Sequence, residues 1–191
     1  MAAQARSSTE MRYTKVAIIL HWTIATLIIG LITVGLLMTN PDMPNRFTLY
    51  QLHKSFGIMV LLLSIFRLIW RLIHKPPPLP LGMNKWEIIG AKLTHIAFYG
   101  IMIGMPLLGW AIVSASSLPI PTKLFWTIPW PDLPFIPESK KLEGIFEFLH
   151  GNIGKMTIGL ILLHFGAAMK HHFVNKDSVF VRMMPWVKPR N

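Results

Sequence analysis

Four histidines inside strongly apolar segments, His21, His53, His150 and His164, are the residues of this sequence best suited to chemistry. An imidazole is costly in hydrocarbon, so it faces the interior of a helical bundle and finds a partner there. His150 and His164 are 14 residues apart in one segment, which on a helix is about 21 Å of rise with a near return to the same face. One helix thus offers a nitrogen ligand at each of two levels. His53 starts its segment on the side where His150 starts its own, and His21 enters from the side where His164 lies. Depth alone therefore pairs His53 with His150 and His21 with His164. Two such pairs, one above the other, are the ligand set for two bis-histidine haems, and the chemistry they imply is electron transfer across a membrane.

The elements that must hold these residues follow from hydropathy. Of 191 residues, 52% are hydrophobic, and the mean hydropathy is +0.48, which suits one integral membrane domain over residues 1–191. Four spans are expected, at about Val16–Met38, Tyr50–Ile73, Ile88–Val113 and Ile145–Phe173, each long enough to cross the hydrocarbon. The first carries a histidine, is too long for a signal-peptide core and has no A-x-A-like cleavage site, so it is retained. Pro106 lies inside the third, where a kink is expected. The fold class is all-α, a four-helix membrane bundle of up-down topology.

The charge pattern orients it. With the N-terminus inside, thirteen of the 19 lysines and arginines flank the inner ends and six the outer ends, which places both termini in the cytoplasm. This distribution explains the formal charge of +11 better than a nucleic-acid-binding face would, so no nucleic acid partner is expected. The sequence has no cysteine, which excludes disulfides, iron–sulfur clusters and thiolate zinc sites. The proline-rich stretch HKPPPLPL is a cytoplasmic link, and 114–141, rich in proline and tryptophan, is an interfacial outer loop with its aromatics at headgroup depth.

Other residues share the two histidine levels. Arg67 follows His53 by 14 residues and so reaches the inner level, where it either neutralises a haem propionate or serves as an ordinary positive-inside arginine. Gly35 follows His21 by 14 residues, and Gly57 and Gly154 each follow a histidine by four; they either admit a porphyrin to the backbone or serve helix packing. His95 is a third histidine at the inner level and is read as a neighbour of the ligands or part of a quinone site. Lys54 and Lys155 lie near the outer pair and could steer a small anion to it, or else snorkel or pair with propionates. His74, His171 and His172 read as basic interfacial residues.

The stretches ILHWTIA around His21, QLHKSFGIMVLLLSIFRLIWR around His53, HGNIGKMTIGLILLHFGAAMKHHF around His150 and His164, and KDSVFVRMMP at Asp177–Pro185 together resemble the bacterial di-haem cytochrome b-561 family. The likeness covers nearly all of residues 15–185. It implies a multi-pass protein of the bacterial inner membrane with two haem b groups, His21 and His164 holding the inner iron and His53 and His150 the outer. It also implies electron transfer between a small reductant or a redox partner protein and ubiquinone. Within the family some members oxidise superoxide, whereas others are cytochrome subunits of hydrogenases and formate dehydrogenases.

Three functions are therefore carried forward. The first is a stand-alone oxidoreductase from superoxide at the outer face to ubiquinone in the membrane. The second is a cytochrome b electron carrier for a separate dehydrogenase or hydrogenase. The third, a histidine-using metal-ion transporter, is disfavoured because Asp42, Asp132, Glu138 and Glu143 fall in loops and Glu147 near an interface, leaving no carboxylate inside the spans.

Overall fold

A computed structural model describes residues 12–80, 82–118, 121–184, 186 and 187. Four helices are long and apolar enough to cross a membrane: α1 (Lys15–Met38), α2 (Arg46–Ile73), α3 (Lys85–Ala115) and α4 (Lys140–Lys170). Among the described residues the chain thus has four crossings and is a multi-pass membrane protein. α4 runs on into one π-helical turn, His171–Asn175, and a 3₁₀ turn follows at Phe180–Arg182.

The helices start earlier than hydropathy places them, and in α1, α3 and α4 a side-chain cap fixes the start. Thr14 caps α1, its Oγ1 accepting from Ala17 N at 3.3 Å. At the start of α3 a capping box forms: Asn84 Oδ1 accepts from Trp86 N, and Asn84 N donates to Glu87 Oε2. Ser139 caps α4, while its own N–H donates to Ala115 O at 2.9 Å and so ties the end of α3 to the start of α4. Only α2 starts from a residue in the left-handed region, Asn45 at φ 60°, which asparagine tolerates. α3 continues through Pro106 as one helix.

The packing is uneven. α1 packs on α2, α2 on α3 and α3 on α4, whereas α4 makes at most marginal backbone contact with α1 or α2. The apolar core is a layer between the histidine levels, Ile24, Val60 and Met102, with Leu27, Leu31, Leu63 and Phe98 against it. It draws on α1, α2 and α3. From α4 only Thr157 is buried, midway between His150 and His164, its hydroxyl donating to Ile153 O at 2.8 Å. Large apolar side chains such as Leu72 and Ile73 are exposed on the outside of the bundle, as expected where lipid tails replace water.

At the cytoplasmic end the segment before α1 meets residues 183–187. Arg12 donates to the carbonyls of Met184 and Val187, and Trp22 Nε1 donates to Met183 O at 2.8 Å. Lys170 pairs with Glu87 at 2.5 Å, joining α4 to α3. At the outer end the loop between α3 and α4 folds into a small hairpin, β1 (Lys123–Leu124) and β2 (Ile128–Pro129). Its turn puts Phe125 and Trp126 at φ 49° and 61°, a costly region for bulky residues. Contacts to α2 hold it: Phe125 N donates to Ser55 Oγ at 2.9 Å, and the Phe125 ring stands edge-on to Phe56 at 5.3 Å. The centre of the loop thus docks on α2 as a cap, leaving Trp126 and Phe135 exposed.

Candidate functional site

Two imidazole pairs stand on opposite sides of the apolar core layer. The rings of His53 and His150 are 6.0 Å apart, centre to centre, at an interplanar angle of 68°. Those of His21 and His164 are 6.2 Å apart at 67°. Both members of each pair are half-buried. α4 supplies one ring at each level, as its periodicity dictates, and α2 and α1 supply the partners. Both pairs therefore span from α4 to a helix on which α4 does not pack.

That separation decides what the pairs can hold. Two imidazole nitrogens bound to one metal at about 2 Å each lie about 4 Å apart, which puts the ring centres on the order of 6 Å apart. A flat macrocycle between them also needs helices that stand apart, and α4 is apart from both α1 and α2. Its inner face, with a single buried side chain, lacks the protein covering that the other three helices have. Next to His53 an apolar cavity of about 220 Å³ is lined by Leu27, Gly30, Leu31, Val34 and Phe56. Gly57, one turn along from His53, faces open space where a Cβ would meet nothing within 4 Å. The residues present fit a b-type haem at each level.

Two glycines set the outer rings. A Cβ on Gly35 of α1 would lie 3.3 Å from His53 Cε1, and one on Gly109 of α3 would lie 3.2 Å from His150 Cε1. A backbone carbonyl faces each ring, that of Leu31 for His53 and that of Met105 for His150. Each is four residues before the respective glycine, so the same local device recurs on two helices. Neither Nδ1 makes a hydrogen bond of normal geometry among the described residues. A buried ring nitrogen without a partner costs on the order of 1–3 kcal/mol, which a small rotation of Nδ1–H onto the carbonyl would offset, leaving Nε2 as the nitrogen for coordination. Gly35 thus serves the outer level, in keeping with its position 14 residues, about 21 Å, along α1 from His21. Gly109 was not singled out at all, because a neighbour supplied by a third helix leaves no local signal.

His95 stands 6.1 Å from His164 at 63°, as close as His21. Distance does not separate the two candidates: His95 is on α3, which packs directly on α4, whereas His21 is on α1, which has at most marginal backbone contact with α4. Phe98 also stands edge-on to His164 at 5.2 Å. Arg67 lies within electrostatic reach of His21, His95 and His164, which places it at the inner level. Lys54 is half-buried, and its Nζ donates to Thr122 Oγ1 of the hairpin cap at 3.3 Å. Lys155 is exposed and sits about 140° around α4 from His150, away from the pair.

Two of the histidines read as interfacial are more constrained than that. His171 is buried, with Nδ1 2.6 Å from Asp177 Oδ2 and Asn175 beside it. His74 stacks on Trp70 at 3.9 Å and 11°. The partner of His171 comes from beyond the helix end, and no helical periodicity could have shown it.

A four-helix membrane bundle with histidine pairs at two levels is the architecture of a membrane cytochrome that transfers electrons. The family model for prokaryotic cytochrome b561 matches residues 12–186, and the chain belongs to that family. It is 28% identical over 182 residues to cytochrome b561 homolog 2 of Escherichia coli, covering 93% of this chain and 94% of that protein. It is 29% identical over 178 residues to cytochrome b561 homolog 1 of the same organism, covering 91% and 97%. With the probable superoxide oxidase CybB of Yersinia pestis it shares 25% identity over 177 residues, covering 91% and 96%. The family implies b-type haem.

Proposed function

We propose that this chain is a di-haem oxidoreductase that takes electrons from superoxide at the outer face and delivers them to ubiquinone. The observation that carries this reading is the presentation by α4 of two imidazoles 14 residues apart, each about 6 Å from a partner imidazole on another helix. His53 and His150 hold the outer iron, and His21 and His164 the inner. Bound haem would supply a one-electron ferric/ferrous couple at each level. Two superoxide anions each lose one electron to become dioxygen, and one quinone takes two electrons and two protons to become quinol.

The chain's own residues divide the remaining work. Lys54, held by Thr122 beside His53, gives the outer mouth a fixed positive charge that attracts an anion. Lys155 adds to the positive field more diffusely. Arg67 offsets negative charge at the inner level, and His95, beside His164, is placed to meet the quinone. The name of the Yersinia relative supports superoxide as the donor. The test is stopped-flow mixing of the oxidised protein with superoxide, followed by a soluble ubiquinone. Rapid haem reduction and then reoxidation by quinone is expected. Reduction no faster than in a variant lacking the outer haem would remove superoxide as donor. The protein would then be an electron carrier for a separate dehydrogenase or hydrogenase.

A further inference from the structure

The end of α2 carries basic residues around a polar cavity of about 110 Å³ at the cytoplasmic side. Arg67, Arg71 and Lys75 line it, with Tyr13, Thr14 and Tyr99 opposite. Among the described residues none of these three cations makes an ion pair, and no carboxylate lines the cavity. The guanidinium of Arg71 lies over the face of Tyr99, its carbon 5.9 Å from the ring centre. Thr14 Oγ1 already accepts from Trp70 Nε1 at 2.9 Å and from Ala17 N at 3.3 Å, so its O–H remains to donate. Like charges gathered around a concavity repel one another, and they are stable there when an anion sits among them.

Depth separates the cations. Arg67 faces the inner histidines. Arg71 is one turn, about 6 Å, nearer the cytoplasm, and Lys75 lies past the end of the helix in the proline link. They sit at the level of Trp70 and His74, whose stacked rings mark the interface where aromatic side chains collect. Phospholipid phosphates lie at this depth, and a basic pocket between helices on the cytoplasmic side suits an acidic headgroup.

We propose that this cavity is a binding site for the phosphodiester headgroup of an anionic phospholipid of the inner leaflet, held by Arg71 and Lys75 with Thr14 and Tyr99 as further donors. The proposal rests on the membrane placement of the chain and is independent of the electron donor. A negative headgroup held here would also lie next to Arg67 and reduce the positive potential at the inner histidines.

The test is native mass spectrometry of the full-length, haem-loaded protein in detergent, titrated with phosphatidylglycerol, phosphatidylcholine or inorganic phosphate. Phosphatidylglycerol is expected to bind in preference to phosphatidylcholine and to resist displacement by inorganic phosphate. Each basic side chain near an anionic lipid contributes about fivefold, so Arg71→Gln with Lys75→Gln should weaken binding roughly thirtyfold. Lys123→Gln, on the outer hairpin, should leave it unchanged. Exchanging the two charges, Arg71→Lys with Lys75→Arg, should keep most of the binding and decides the matter should the neutral variant fail to fold. Equal binding of the two lipids, undiminished binding in the neutral variant, or displacement by inorganic phosphate would each overturn the proposal.

Discussion

Gly109 stands against the ring of His150 so closely that a Cβ there would lie 3.2 Å from Cε1. Glycine inside a helix normally costs about 1 kcal/mol relative to alanine, so Gly109→Ala should strengthen α3 if helix formation were all that mattered. The close approach predicts the opposite at the site. The ring must turn or shift, and occupancy of the outer haem should fall by half or more while the inner haem is retained. Haem quantification alongside thermal unfolding separates the two effects. A more stable variant with full haem content would show that Gly109 does not position His150.

Wild-type protein should contain two haems per chain, each low-spin and bis-histidine. His53→Ala or His150→Ala should remove the outer haem and keep the inner one; His21→Ala or His164→Ala should do the reverse. Pyridine haemochrome analysis and low-temperature spectra check both statements. A single haem per wild-type chain would contradict the assignment.

His95→Ala should retain both haems, because His21, on the helix with at most marginal contact to α4, is the partner proposed for His164. Slower quinone reduction, roughly tenfold, is the expected consequence of losing a residue beside the inner pair. Loss of the inner haem in this variant, with His21→Ala keeping it, would exchange the roles of the two histidines.

Lys54→Gln should slow superoxide-driven haem reduction by about tenfold at low ionic strength, and the difference should shrink at 1 M salt, where the Debye length falls to about 3 Å. Lys155→Gln, whose side chain points away from the outer pair, should have the smaller effect. Rates measured by stopped flow across a salt series test the ordering. A rate independent of both lysine and salt would exclude electrostatic steering.

Much of this was legible before any coordinates. Four apolar runs separated by loops define a four-crossing membrane protein, because hydrocarbon requires each crossing to satisfy its backbone within a helix. A spacing of 14 residues puts His150 and His164 on one face of α4 because four helical turns take about that many residues, and depth then aligns His53 and His21 with them. Helix starts were less legible. The polar first turns at Lys85 and Lys140 contribute nothing to hydropathy and are fixed by the caps at Asn84 and Ser139.

The remaining features depend on contacts between segments remote in sequence. Gly35 and Gly109 meet the histidine rings from other helices, and Asp177 reaches back to His171 from beyond the end of α4. The loop centre folds onto Ser55 and Phe56, and the cations at the end of α2 gather around one cavity. The uneven packing, close between α3 and α4 and sparse between α1 and α4, is likewise a property of the assembled bundle. Local periodicity fixes which face of a helix a residue occupies, but which neighbour meets that face is set by how the helices pack, and no single segment carries that information.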